Sequence, residues 1–421
     1  MRFIARRGFY RIFVVPLSVR YGRSTHFNRR SMKSLLKSFA FFALCALLFS
    51  SCRTAGGPTN TIPVGEFASL TGGTATFGQS VHNGDVLATD EINAAGGVLG
   101  KQIDLMTEDD QSKTEDAVAS VQKLVNADHV IAVLGEVASS RSMAAAPICQ
   151  AAHVPMITPA STNVDVTKKG DYIFRICYTD LFQGQTMARF GYNSLGKKRA
   201  AILLDVKEDY SVGLDDAFKN TFTFLGGTIV SEQSYSTGDK DFRAALTSIK
   251  GANPDVIFVP GYYTEVSLIV RQARELGIDV PILGGDGWDS PELTKGAEQQ
   301  FNNTYFSNHF STDDPDTTVQ LFIKKYQDRY HAVPDAMAAL GYDATRILAD
   351  AITRAGSTDS VKLKNAIANT KNFPGVTGSI TIDKEHNASK PITIIKIVDG
   401  QFHFAQRIGP NGDAMTPFQP Q

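Results

Sequence analysis

Apolar positions along the chain fall into two alternating patterns. Short continuous runs read as strands, and longer stretches with an apolar residue every three or four positions read as helices. The first series runs strand Ile62–Leu70, helix Phe77–Ala95, strand Ile103–Thr107, helix Glu115–Ala127, strand Val130–Leu134, helix Ser142–Ala152 and strand Pro155–Thr158. Gly96-Gly97 supplies a stop for the first helix. A second series begins after Asp180. Helices Gln183–Leu195, Leu214–Leu225, Phe242–Lys250 and Glu265–Leu276 are followed by strands Ala200–Leu204, Thr228–Tyr235, Asp255–Pro260 and Pro281–Leu283. Three helical stretches then come together, Thr317–Tyr330, Ala336–Ala355 and Ser360–Asn369. Strands Ser379–Ile382, Ile392–Val398 and Gln401–Ala405 close the chain, with Asp399-Gly400 as a hairpin turn. Regular strand–helix alternation predicts an α/β protein with parallel central sheets covered on both faces. Two series predict two such units, with the late elements completing both.

The length of 421 residues also favours two globular units. The formal net charge of −1 hides an asymmetry. Ten of the 42 basic residues and none of the 43 acidic ones lie in residues 1–51, so the remainder carries −11. An acidic body disfavours nucleic acid as a partner. The basic start Met32-Lys33-Ser34, the apolar run Phe39–Phe49 and Ser50-Ser51-Cys52 read as a signal peptide. The run is too short to span a bilayer, which takes about 20 residues. Its small residues before a cysteine resemble a lipoprotein signal, with Cys52 as the lipid-bearing residue. Plain cleavage without lipid is the other reading. Translation is expected to begin at Met32, and residues 52–60 form a polar tether. The mature chain is therefore expected outside the cytoplasm, anchored to a membrane by lipid. Cys149 and Cys177 either pair in that oxidising setting or remain buried thiols.

Open α/β sheets bind ligands beyond the C-terminal ends of their strands. Hydroxyls, aromatics and one acidic turn follow the predicted strands here. Ala138-Ser139-Ser140 precedes a helix, whose free amides favour an anion; either serine can equally be a simple cap. Ala160, Ser161 and Thr162 follow a strand and can serve in the same two ways. Gly284-Gly285-Asp286-Gly287-Trp288-Asp289 lets backbone approach a ligand. Asp286 there can pair with an ammonium or be an ordinary turn residue, while Asp289 or Ser290 can cap a helix starting at Pro291. Tyr210 and Tyr262 can be flat walls or core. No G-x-S-x-G elbow, phosphate loop or H-E-x-x-H occurs, and the eight histidines are scattered. Neither catalysis, a cofactor nor a metal is expected.

Taken together, several stretches resemble the leucine/isoleucine/valine-binding family of periplasmic solute receptors. They are Gly84 with Asp90–Gly100, Thr158–Asn163, Gly261–Glu265 with Arg271–Arg274, and Gly284–Gly287. The resemblance implies two Rossmann-like lobes joined by three crossovers near residues 179, 308 and 375. The first lobe is then 61–179 with 308–375, and the second 180–307 with 376–415. It implies capture of an amino acid, by default a branched aliphatic one, for delivery to the permease of an ABC transporter. The protein is expected to be a monomer. A sensor of the same fold, binding an amide, urea or another small solute, is the alternative. By matching position, Ser139, Thr162 and Ala160 take the ligand carboxylate and Asp286 its ammonium. Tyr262, Tyr210 and Phe77 line the pocket. Asp286 stands where the longer Glu is commoner, and Trp288 adds bulk.

Overall fold

The computed structural model describes residues 60–415. The expected start at Met32, the signal and Cys52 lie outside them. Two sheets organise the chain. The first contains β1 (Thr61–Ala68), β2 (Gln102–Asp109), β3 (Val133–Leu134), β4 (Met156–Thr158) and β5 (Ile173–Arg175), all parallel, in the order β2-β1-β3-β4-β5. The second is formed by β6 (Arg199–Asp205), β7 (Thr228–Tyr235), β8 (Val256–Val259), β9 (Ile282–Gly284) and β10 (Thr304–Asn308) in parallel. To these β14 (Ile392–Val398) and β15 (Gln401–Ile408) add antiparallel strands, giving β15-β14-β10-β9-β8-β6-β7. The two lobes match the α/β expectation. Asp399 and Gly400 have φ of 48° and 79°, as a two-residue turn of the inferred kind requires.

Adjacent residues of the short first-lobe strands serve opposite faces, as pleating dictates. Val133, Met156 and Ile173 join one buried cluster with helices α2 (Thr114–Asn126) and α3 (Ser139–Ala152). Leu134, Ile157 and Phe174 point to the other cluster, with α1 (Ala75–Ala94) and α9 (Ala336–Ala355). The last two helices approach closely at paired glycines. A Cβ on Gly341 would lie 2.5 Å from the Val81 carbonyl, and one on Gly84 would strike the Ala338 carbonyl.

Several elements differ from expectation. β5 and β10 are too short and too mixed in polarity to stand out from their neighbours. No helix begins at Pro291; the chain makes a single turn over Asp286–Trp288 instead. Asp289 caps a different helix, accepting the Ala336 N–H at 2.7 Å. Cys149 and Cys177 are both buried and free. The third crossing also needs correction. The small sheet of β11 (Phe373–Gly375), β12 (Gly378–Ile382) and β13 (Ala388–Ser389) stays with the first lobe. The Arg175 N–H donates to the His386 carbonyl at 3.1 Å, and the His386 ring stacks on Phe174 at 4.2 Å. Only at Ile392 does the chain enter the second sheet, so the crossing falls near residue 390 rather than 375.

Candidate functional site

Loops leaving the C-terminal ends of both sheets meet where the lobes face each other. On the first-lobe side, Ser139 opens α3, where the first amides of a helix lack intrahelical partners. Ser139 is buried, and its Oγ accepts the Asn163 N–H at 3.1 Å. The hydroxyl proton is thereby left to point elsewhere. Thr162 is buried with its hydroxyl toward the Asp180 carboxyl, and Ala160 is buried beside it. Arg175 holds this loop from beneath, donating to the carbonyls of Ser161 at 2.6 Å and Asn163 at 2.7 Å.

Ser161 does not join them. Its hydroxyl turns inward, 2.8 Å from the Glu136 carbonyl and 2.8 Å from Ser142 Oγ. It pins one strand-end loop to the next, because a buried hydroxyl must find local partners. Behind Ser139, Arg141 and Glu136 form a buried ion pair at 3.0 Å. Arg141 also donates to Thr74 Oγ1 at 2.8 Å. Burial, then the Glu136 charge, push the neighbouring Asp110 up to about 7.

The second-lobe side carries the aromatics. Tyr210 and Tyr262 stack at 5.1 Å with planes 8° apart, and Phe77 crosses from the first lobe to meet Tyr262 edge-on at 5.7 Å. The Tyr210 hydroxyl accepts the Gly287 N–H at 3.1 Å. This closeness needs glycine, since a Cβ on Gly287 would lie 2.9 Å from the Tyr262 ring and 2.8 Å from the Gly261 carbonyl. Asp286 is buried, with Oδ2 2.9 Å from Nε2 of His309. Its backbone N–H donates to Gln183 Oε1 at 2.8 Å.

Trp288, expected at the pocket, lies elsewhere. Its indole N–H donates to the Val259 carbonyl at 3.1 Å, and its ring packs over Gly284 and near Phe306. A fully buried indole with its one donor satisfied is a core residue of the second lobe. Sequence reading missed His309, Gln183 and Tyr178. His309 follows β10, whose Thr304, Ser307 and Asn308 break any apolar run, so no strand-end argument reached it.

The lobes touch across the crevice. Thr76 Oγ1 lies 3.0 Å from Ser290 Oγ, and Tyr263 donates to the Gly73 carbonyl at 3.2 Å. Ser140 Oγ donates to Glu208 at 3.0 Å and accepts the Asp209 N–H at 3.1 Å. Asn163 adds a bond to the Asp209 carbonyl at 2.7 Å. Glu208 is pushed up to about 7, chiefly by burial, against the opposing pull of Arg141. Asp180, buried at the same end as Thr162, is driven well above the carboxylate range by loss of water. No group of three or more potential metal ligands occurs among the described residues.

This geometry, with hydroxyl and amide donors on one lobe and an acid on the other, coincides with a match over residues 61–401 to the model of a periplasmic binding protein. The chain belongs to that periplasmic binding protein family. The Leu/Ile/Val-binding protein BraC3 of Rhizobium johnstonii is 33% identical over 342 residues, covering 80% of this chain and 92% of that one. Among solved structures, the leucine binding protein LivK of Thermotoga maritima is 39% identical, with a TM-score of 0.79 over 83% of this chain and 99% of its own. The branched-chain amino acid transporter substrate binding protein LivJ of Streptococcus pneumoniae, in complex with isoleucine, is 36% identical. Its TM-score is also 0.79, over 83% and 100% of the two chains. This periplasmic binding protein thus shares the two-lobed type I architecture with relatives named for leucine, isoleucine and valine.

Proposed function

We propose that the protein captures an α-amino acid with an aliphatic side chain between its lobes and delivers it to the permease of an ABC transporter. One observation carries the reading. The buried hydroxyls of Ser139 and Thr162 belong to one lobe and the buried Asp286 to the other, and Phe77 packs on Tyr262 across the lobes. A zwitterion buried by closure needs both of its charges met, and this arrangement offers an anion site and an acid at one end. The aromatic faces beside them suit an aliphatic side chain. Ala160 contributes backbone rather than side chain, and Ser161 and Trp288 support the loops without touching ligand. In this reading the first lobe is 61–179 with 308–389, and the second 180–307 with 392–415, closing about the three crossings.

The same reading places the mature protein outside the cytoplasm, anchored at Cys52. No helix among the described residues is long and apolar enough to cross a membrane, so the lipid would be the anchor. A thermal-shift screen tests the ligand class. An aliphatic amino acid at 100 times its dissociation constant adds about 2.7 kcal/mol of stability. Absence of a shift with every α-amino acid would overturn the assignment. Loss of membrane association in Cys52→Ser would support the anchor, and unchanged association would refute it.

A further inference from the structure

Asp286 is held at three points. Gln183 Oε1 accepts its backbone N–H at 2.8 Å, and the Tyr210 hydroxyl accepts the next one, at Gly287, at 3.1 Å. The third point is the 2.9 Å contact between carboxylate Oδ2 and His309 Nε2. Among the described residues nothing donates to Oδ1 of Asp286. The imidazole of His309 is wholly buried and stacks on Tyr178 at 3.8 Å with planes 15° apart. Its other nitrogen, Nδ1, is buried without a partner among the described residues.

These facts fix the direction of the bond. A carboxylate only accepts, so Nε2 must carry the proton and Nδ1 the lone pair. Burial presses His309 down to about 4, so the ring is neutral through the physiological range. The pair is therefore a neutral donor on a carboxylate, and not an ion pair. A charged imidazolium would compete with a ligand cation for Asp286; a neutral ring leaves that negative charge available.

Resting on the amino-acid reading above, we propose that His309 is the positioning residue of the ammonium site. Its Nε2–H takes Oδ2 of Asp286 and so presents Oδ1 to the ligand. The short aspartate side chain makes such backing necessary. Asp has one methylene fewer than Glu, and a second-layer bond selects one of its staggered rotamers and fixes the carboxylate plane. The backing also reaches the crossings between lobes. Tyr178 lies at the first and His309 at the second, while Gln183, which orients the Asp286 backbone, also accepts from Ser307 Oγ at 2.6 Å at the end of β10. The ammonium site is thereby built on the segments about which the lobes move.

The test combines two ring replacements with a spectroscopic readout. His309→Phe keeps a ring against Tyr178 and removes the donor; His309→Gln restores an N–H near the Nε2 position. Titration calorimetry with L-leucine should show His309→Phe at least about tenfold weaker. His309→Gln should recover most of that loss. The deaminated analogue 4-methyl-2-oxopentanoate should not distinguish wild type from His309→Phe. Equal leucine affinity in wild type and a folded His309→Phe would overturn the proposal, as would an equal loss for both ligands. Nitrogen NMR of the imidazole in the wild-type protein needs no variant. It should report protonated Nε2 and bare Nδ1, with Nε2 shifting on leucine addition; the opposite tautomer would overturn the proposal. Wild type that binds no α-amino acid would overturn the functional reading and this role with it, whereas the tautomer independently judges the His309–Asp286 bond.

Discussion

Asp286 stands at the centre of the residue-scale account. It is buried and bonded to His309 on one oxygen, and in the proposed reading it takes the ammonium while Ser139 and Thr162 take the carboxylate. Asp286→Ala would leave a bound ammonium unpaired in a closed site. A cost of about 2–5 kcal/mol is expected, on the order of 30-fold or more in dissociation constant. Calorimetry checks it, and unchanged affinity would contradict the role. The glycine-rich turn after a strand that carries this acid was legible in the sequence. The direction of neighbouring side chains was not. Ser161 and Trp288 sit in the same turns as Thr162 and Asp286, yet one hydroxyl turns inward to Glu136 and the indole enters the core. Adjacent positions of a turn differ by local φ and ψ, which composition and spacing do not encode.

At the scale of elements, periodicity carried most of the fold. Long helices such as Thr317–Tyr330 and Ala336–Ala355 match their apolar repeat end to end. Ile173–Arg175 escaped notice because Arg175 interrupts its short apolar run. β10 escaped as well, its apolar positions interrupted by Thr304, Ser307 and Asn308, and with it the strand end that carries His309. One helix contact is sharply testable. Gly341→Ala places a methyl carbon 2.5 Å from the Val81 carbonyl, between α1 and α9. Overpacking of this kind costs roughly 1–3 kcal/mol. Thermal unfolding should fall accordingly, and an unchanged midpoint would show that the helices separate more easily than their packing implies.

Across the whole molecule, the buried acids where the lobes meet predict that closure and proton uptake are linked. Glu208 is held at about 7 where the lobes meet, against about 4.3 for a free glutamate. Arg141 opposes this rise, while Asp205 and Glu136 add to it. Asp289, which bonds the Ala336 N–H of the other lobe, is likewise raised to about 7, by burial and by Asp335. Opening returns both acids to water. A carboxyl whose closed-state value is raised favours closure fully below its free value and loses that share as pH rises through 7. Ligand affinity should therefore fall from pH 5 to pH 8, by on the order of tenfold or more. Glu208→Gln should shallow the slope. An affinity that rises with pH, or an equal slope in the variant, would refute the linkage.

The central claim is recognition of both charges of an amino acid, and one calorimetric comparison addresses it most directly. Wild-type protein is titrated with L-leucine, with its amine 3-methylbutylamine, and with its keto acid 4-methyl-2-oxopentanoate. Binding of leucine at least about a hundredfold tighter than either singly charged analogue, near 2.7 kcal/mol, is predicted. Equal binding of either analogue, or no heat with leucine or any other α-amino acid, would contradict the account.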